Sequence, residues 1–478
     1  MSLMGCQHCR TSFFPLFLIF LALLMSSCAS MKTRTTQYTE SVPLAREGQY
    51  EAAALIIENA KDDYYGEKDR VLYYLDLGML YHWSGEYAMS NEMLTKAEIA
   101  IEELFTKSIS QGLSSAVLND NALDYAGEAY EDVYLNVFKA LNYIGLGDIE
   151  AALVEIRRVH IKLNILEDRY KKVIEDYNSS TDSEGILEYH RNRFYNSAFA
   201  RYISVLLYRS QGDWDDARID RELIAEAWEN QRQLYNFPMP ELPQAKAVDE
   251  TNALVNIISF SGLGPTKHAD TIYGDSGENV IFLTMEGQNK DDAMRNLGFT
   301  FLLVPDVKPG LHFKVQFPRL VSRGSEVDRI VVKFDGTAVA DLARLESLDA
   351  IARETFLIKQ PLTVGKTIIR AASKNLAKEL GKDAMHQELE DKGAALAITG
   401  FLAGLALDVF VDASENADLR ISQFFPSDVW AAEFLVLPGA YHVEIEYWRG
   451  RELMFVADHG LRIITADGPN LVESYLLR

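Results

Sequence analysis

Leu77-Gly78-Met79-Leu80-Tyr81-His82-Trp83-Ser84-Gly85-Glu86-Tyr87-Ala88-Met89-Ser90 is the stretch on which the fold turns. An apolar run ends at Gly85, a polar and a large aromatic residue follow, and a small residue stands three places beyond the aromatic. The arrangement returns at Gly48-Gln49-Tyr50 with Ala53, at Gly147-Asp148-Ile149 with Ala152, and at Gly212-Asp213-Trp214 with Ala217. Each copy has the chemistry of two antiparallel helices joined by a tight turn. The glycine ends the first helix, where φ > 0 has little steric cost. The large residue fills the crook, and the small one lets the second helix come close. Leu44, Tyr81, Tyr143 and Tyr208, four places before each glycine, would fill the groove from the first helix.

Working outward, the whole stretch from Ser41 to Asn236 has sparse glycine and proline and apolar residues at three- and four-residue spacing, which predicts helix after helix. With Leu77-Gly78 before Tyr81 and Ala97 at the later small position, this half resembles tetratricopeptide-type repeats. The glycines stand 37, 62 and 65 residues apart, whereas a tandem array would space them by about 34. The expectation is therefore an irregular α-solenoid with insertions such as Asn119–Gly127 and Asn178–Gly185; such arrays bind protein segments in their concave face. A helical bundle supporting the second half would give the same periodicity.

One segment departs from repeat chemistry. Leu118 to Asp132, leading into a helix expected over Val133–Gly145, is rich in Tyr, Asn and carboxylates. Asp124, Tyr125, Gly127, Glu128, Tyr130 and Glu131 form a candidate binding loop for a cation, a sugar or a basic peptide; helix capping and loop solvation would use the same residues. Asp124-Tyr125-Ala126-Gly127-Glu128-Ala129-Tyr130-Glu131, with Lys139-Ala140-Leu141-Asn142-Tyr143, resembles a widespread family of uncharacterised bacterial lipoproteins with tetratricopeptide-like helices.

The N-terminus agrees with that resemblance. Arg10, the apolar run Phe13 to Met25 and Ser26-Ser27-Cys28 make a charged start, a short apolar core and a small-residue exit. That is a secretory signal, too short for the ~20 apolar residues of a comfortable span. Leu24-Met25-Ser26-Ser27-Cys28 is similar to the bacterial lipobox, with Met25 where Leu is usual. Cys6 and Cys9 would leave with the signal, so Cys28 would remain without a thiol partner. Acyl chains such as palmitate on Cys28, at ~0.8 kcal/mol per buried CH₂, would give stable anchoring. The non-acidic Ala29 resembles lipoproteins sorted to the outer membrane. The formal charge of −23 argues against nucleic acid and against adsorption to anionic headgroups.

After the Pro-rich Phe237-Pro238-Met239-Pro240 the pattern changes. Strands are predicted at Ala253–Phe260, Val280–Thr284, Phe313–Phe317, Ile330–Phe334, Glu433–Val436, Tyr441–Tyr447, Glu452–Ala457, Leu461–Ile464 and Val472–Leu476. A helical block is expected over Ala338–Phe356 and Val364–Val411. Leu437-Pro438-Gly439 feeds strict alternation, with Tyr441, Val443, Ile445 and Tyr447 on one face, as in an antiparallel sandwich strand. The family resemblance continues here through Gly264-Pro265 and Lys267, Phe317-Pro318, Ala417-Asp418-Leu419-Arg420, Phe425-Pro426 and Leu437-Pro438-Gly439. An aromatic usually follows that Arg closely in the family, and Ile421-Ser422-Gln423 departs from it. Gly264, Pro265, Lys267, Asp418 and Arg420 are a second candidate site. Gly393–Leu407 is a short apolar run with Gly400 and Gly404 on one helical ridge, suited to a core helix or to a partner- or membrane-facing surface.

The sequence carries no familiar catalytic pattern. His386-Gln387-Glu388-Leu389-Glu390 lacks the second His of a zinc helix, no Gly-x-Ser-x-Gly elbow occurs, and Gly262-Leu263-Gly264-Pro265-Thr266-Lys267 lacks the spacing of a phosphate loop. The expectation is thus a multidomain α and α+β protein: signal peptide 1–27, lipidated Cys28 and tether 28–40, tetratricopeptide-like domain 41–236, linker 237–250, α+β domain 251–478. It would be a non-enzymatic lipoprotein of the outer membrane facing the periplasm, without cofactor, metal or nucleic acid. It would act as a protein-interaction scaffold or accessory factor in envelope assembly or export. The alternative is a peptidoglycan- or glycan-binding or glycan-acting protein.

Overall fold

At all four repeat positions the glycine takes a left-handed backbone, with φ of +79° at Gly48, +80° at Gly85, +79° at Gly147 and +79° at Gly212. The residue after it donates its N–H to the carbonyl four places before the glycine: Gln49 to Leu44 at 2.9 Å, Glu86 to Tyr81 at 2.9 Å, Asp148 to Tyr143 at 2.8 Å and Asp213 to Tyr208 at 2.9 Å. This closure satisfies the last carbonyls of the first helix and reverses the chain. The computed structural model describes residues 35–111, 123–180, 193–242, 251–285, 301–303, 309–310, 312–358, 360, 417–466 and 469–478.

The four hairpins are α1 (Tyr38–Arg46) with α2 (Tyr50–Asn59), α4 (Arg70–Trp83) with α5 (Tyr87–Gln111), α6 (Ala129–Gly145) with α7 (Ile149–Ser180), and α8 (Ala198–Gln211) with α9 (Trp214–Asn230); α3 (Lys61–Tyr64) is a single turn. Ala53, Ser90, Ala152 and Ala217 are buried where the paired helices meet. The second helices are long, 25 residues in α5 and 32 in α7, which is why the glycines are so widely spaced. Replacing Gly212 by Val should cost about 1–2 kcal/mol, because a β-branched residue is forced towards the left-handed region. A Cβ there meets nothing within 4 Å, so the loss is purely conformational and should appear as a lower urea midpoint with an unchanged slope.

Twelve strands are described, in three four-stranded sheets. They are β1 (Ala253–Leu263), β2 (Thr266–Gly277), β3 (Val280–Met285), β4 (Phe301–Leu303), β5 (His312–Val321), β6 (Arg329–Phe334), β7 (Thr337–Asp341), β8 (Ala343–Ser347), β9 (Pro426–Val436), β10 (Gly439–Arg449), β11 (Glu452–Ile464) and β12 (Leu471–Leu476). The sheet orders are β12-β1-β9-β8, β11-β10-β6-β7 and β4-β3-β2-β5. All described pairings are antiparallel except β1 with β12. The protein is thus mixed α and β, with about ten helices and an N-terminal helical region. Among the described residues no helix is long and apolar enough to cross a membrane.

The first sheet is a middle layer. Ala253, Val255 and Ile257 of β1 share a core with Ile330 and Val332 of β6 and Val443, Ile445 and Tyr447 of β10. Ile258, Phe260 and Leu263 instead join the core of the helices. With both faces covered, β1 is buried along its whole length rather than at alternate positions. The Phe260 ring meets Trp83 of α4, Phe138 of α6 and Phe199 of α8 at centroid distances of 5.3, 5.5 and 5.6 Å. The face shared by these first helices is therefore occupied by the chain's own sheet.

Several expectations are corrected. Of the helix expected over Ala338–Phe356, residues 338–341 belong to strand β7 and 343–347 to β8, and the helix begins only at 348. Asp335 and Gly336 both take positive φ, 49° and 78°, and make the tight turn that sends β6 back as β7. Strand β2 was not anticipated, because its sequence is polar. Glu452–Ala457 and Leu461–Ile464 are one strand, bulged where Gly460 takes φ +64°. Helix α6 starts at Ala129, not Val133, and α1 already at Tyr38, within the expected tether. In the expected linker, Leu242 is buried and Phe237 packs against the helical core. Cys28, the signal segment, His386–Glu390, Val364–Val411 and Gly393–Leu407 lie outside the described residues.

Candidate functional site

Helix α6 opens with a reciprocal cap. Glu128 is the N-cap residue, and its backbone N–H donates to the Glu131 carboxylate at 2.7 Å. The Tyr125 hydroxyl donates to the same oxygen at 2.7 Å, and the Ser422 N–H donates to the other at 2.7 Å. Glu131 is fully enclosed, and burial together with the negative charge of Glu128 lifts its carboxyl to about 7 despite those three donors. Of the expected loop, then, Tyr130 and Glu131 lie in the first turn of a helix. Tyr130 packs its ring on Phe425 at 5.7 Å, so both serve structure. Gly127, at φ +78°, turns the chain into the helix.

The second cluster arrives from the other half. Lys267, at the start of β2, donates to Glu128 Oε1 at 2.5 Å and to the Arg420 carbonyl at 2.8 Å. Its ammonium sits 5.8 Å from the ring centres of both Tyr125 and Phe356. Arg420 forks onto Asp418 through Nε and Nη2, both at 2.9 Å, and reaches Asp69 Oδ1 at 2.9 Å and the Leu123 carbonyl at 3.0 Å through Nη1. Burial pushes the Asp418 carboxyl up, but the guanidinium outweighs it and holds the group at about 2. Gly264 and Pro265 are buried; the Gly264 N–H donates to the Phe425 carbonyl at 2.7 Å, and a Cβ there would stand 3.2 Å from that oxygen.

The structure thus brings Asp124, Tyr125, Gly127 and Glu128 of the first sequence-predicted site and Lys267, Asp418 and Arg420 of the second to one place, whereas Tyr130, Glu131, Gly264 and Pro265 stand outside its wall. Leu123, Asp124, Tyr125, Ala126, Gly127 and Glu128 on one side and Lys267, Pro318, Phe356, Asp418 and Arg420 on the other line a cavity of about 200 Å³. Asp124 is partly open to solvent. Most of the charge in the wall is already matched within the protein, and the lining holds no serine, cysteine or histidine. The wall offers aromatic rings, carboxylates and carbonyls around a small polar hollow. Sequence reasoning missed Asp69, Asp76, Pro318, Phe356 and Ser422. Asp76 alone left a signal, a carboxylate inside the apolar helix α4. It accepts from Tyr38, Tyr65, Ser422 and the Gln423 N–H at 2.6, 2.9, 2.9 and 3.2 Å, and burial lifts it to about 6.

These carboxylates give stability a pH signature. Asp76 and Glu131 hold their protons to about 6 and 7, above the 3.8 and 4.5 of unfolded chains. The folded state therefore binds more protons than the unfolded one in that window, and stability is lost as pH rises through it. Asp418 and Glu98, both held at about 2, act oppositely and lose their contribution as pH falls below their ordinary values. Melting temperature should peak at about pH 4–5 and decline towards pH 7. Glu131→Gln should flatten the decline; an unchanged slope in that variant would remove Glu131 as its source.

Comparison with known proteins finds no match: no family model, no curated relative and no solved structure aligns with the chain.

Proposed function

We propose that this chain is a lipid-anchored protein of the bacterial envelope that works by binding rather than by catalysis. Cys28 would carry the lipid and hold the mature chain at the periplasmic face of the outer membrane, as the signal segment, lipobox and lipoprotein-family resemblance suggest. The hairpins would be an irregular tetratricopeptide-type array in which the usual ligand groove is filled in cis by β1. A protein partner would then meet the open rim of the cavity at Asp124 together with the outer helices, where Leu55 of α2, Ile99 of α5, Ile161 of α7 and Ile219 of α9 are exposed.

The observation that carries the binding reading is a convergence between the two halves of the chain: residues 124–128, Lys267, Asp418 and Arg420, remote in sequence, line one cavity. It favours the second reading of the sequence as well, a glycan ligand, since aromatic rings beside carboxylates and carbonyls are what a sugar's CH faces and hydroxyls require. Crosslinking in intact envelopes should trap a specific partner that is lost with Asp124→Lys, a change at the partly open rim. Recovery of the same partners from parent and variant would remove the cavity from the account. Cys28→Ala should release the protein from the membrane fraction; continued membrane retention would remove the anchor.

A further inference from the structure

We infer that the open face of the third sheet is a platform for an uncharged glycan chain running out of this cavity. The inference rests on the reading of that cavity as a binding site. Strand β2 alternates: Ile272 and Gly274 turn inward, while Ala269, Thr271, Tyr273 and Asp275 belong to the other face. That face begins at Lys267 and, across β5, at Pro318, both in the cavity wall. It runs eight residues along β2 to Asp275, about 27 Å at ~3.4 Å per residue. Cavity and face are one continuous surface.

The register places two cross-strand rows on it. Tyr273 pairs with Thr284 of β3 and Lys314 of β5. Asp275 pairs with Phe282 of β3 and His312 of β5, and Phe282 pairs in turn with Phe301 of β4. Phe282 and Phe301 are 52% and 51% exposed, side by side on neighbouring strands about 4.8 Å apart. Inward positions of the same strands, Ile281, Leu283, Phe313 and Val315, are buried, so the phenyls were not displaced from a core. Paired exposed aromatics with polar groups around them mark a contact surface rather than a random exposure.

Charge selects the occupant. On this face Asp275 is paired with His312 at 2.5 Å and Lys314 lies over the Tyr273 ring at 5.8 Å, while the Asp270–Arg319 pair belongs to the opposite face. A face that carries one carboxylate, Asp275, and one ammonium, Lys314, of opposite sign presents little net field to attract an ion, and the chain's −23 repels polyanions. What remains is a neutral chain with apolar faces and many hydroxyls. Sugar rings would lie on Phe282, Phe301 and Tyr273, with Thr284, Gln316 and Lys314 within reach of their hydroxyl and amide groups.

The test is calorimetric titration of the purified full chain with the soluble β-1,4-linked hexamer of N-acetylglucosamine. The parent should bind. Phe282→Ala with Phe301→Ala should weaken binding about tenfold or more, as losing a stacked aromatic does elsewhere, while Phe282→Trp with Phe301→Trp should retain it. A parent that does not bind the hexamer, or an alanine pair that binds as the parent does, overturns the platform. If instead Asp124→Lys abolishes binding and the alanine pair does not, the platform falls while the cavity stands.

Discussion

Arg420→Met is expected to destabilise the protein by about 3–5 kcal/mol, the cost of breaking a buried ion pair from one side. The guanidinium is 4% exposed and satisfies Asp418 by two parallel bonds and Asp69 by a third. Methionine would fill much of the volume, yet both carboxylates would stay buried with no cation to face. The Leu123 carbonyl would lose its donor as well. Lysine should rescue only part, since one ammonium cannot reproduce a planar fork. Adding Asp418→Asn to Arg420→Met should recover more than lysine does, because it removes a stranded charge. Urea unfolding of the three variants reads this directly, and equal losses in all of them would mean that Arg420 acts through packing alone.

Why the hairpins were legible and this ion pair was not follows from range. Gly48, Gly85, Gly147 and Gly212 each impose a local backbone state, and a local state is written in neighbouring residues. The alternation of Tyr441, Val443, Ile445 and Tyr447 is equally local, and the last three are fully buried as it implies. Strand β2 escaped because one of its faces is wet and its polar residues imitate a loop. The first half of the expected helix over Ala338–Phe356 failed on periodicity alone, although Asp335-Gly336 held the turn signal that should have overruled it. The candidate site was legible as two pieces and illegible as one. Arg420 and Asp69 are 351 residues apart and Lys267 and Glu128 139, and no spacing rule reaches across such distances. The filled groove was hidden for the same reason: nothing near Phe260 announces that three helices will close on it.

That closure makes the second large effect. Phe260→Ala should cost about 3–5 kcal/mol, the transfer loss of a phenyl ring plus the cavity it leaves. Trp83, Phe138 and Phe199 come from three separate helices, each held by its own hairpin, so they cannot collapse together into the space. Phe260→Leu, which keeps most of the volume, should lose far less. The position also decides how the protein unfolds. Residues of α1, α2, α4 through α9 and of β1, β8 and β9 belong to one apolar cluster, so helices and first sheet should melt together. Far-ultraviolet circular dichroism, weighted to the helices, and the fluorine NMR signal of Trp430 in protein labelled with 5-fluorotryptophan, resolved from those of the other tryptophans and reporting the far side of the first sheet, should then give coincident transitions in the parent. Phe260→Ala should shift both by the same amount. If only the tryptophan signal moved, the helical region would be folding on its own, and the groove would be covered by a neighbour rather than filled by its own core.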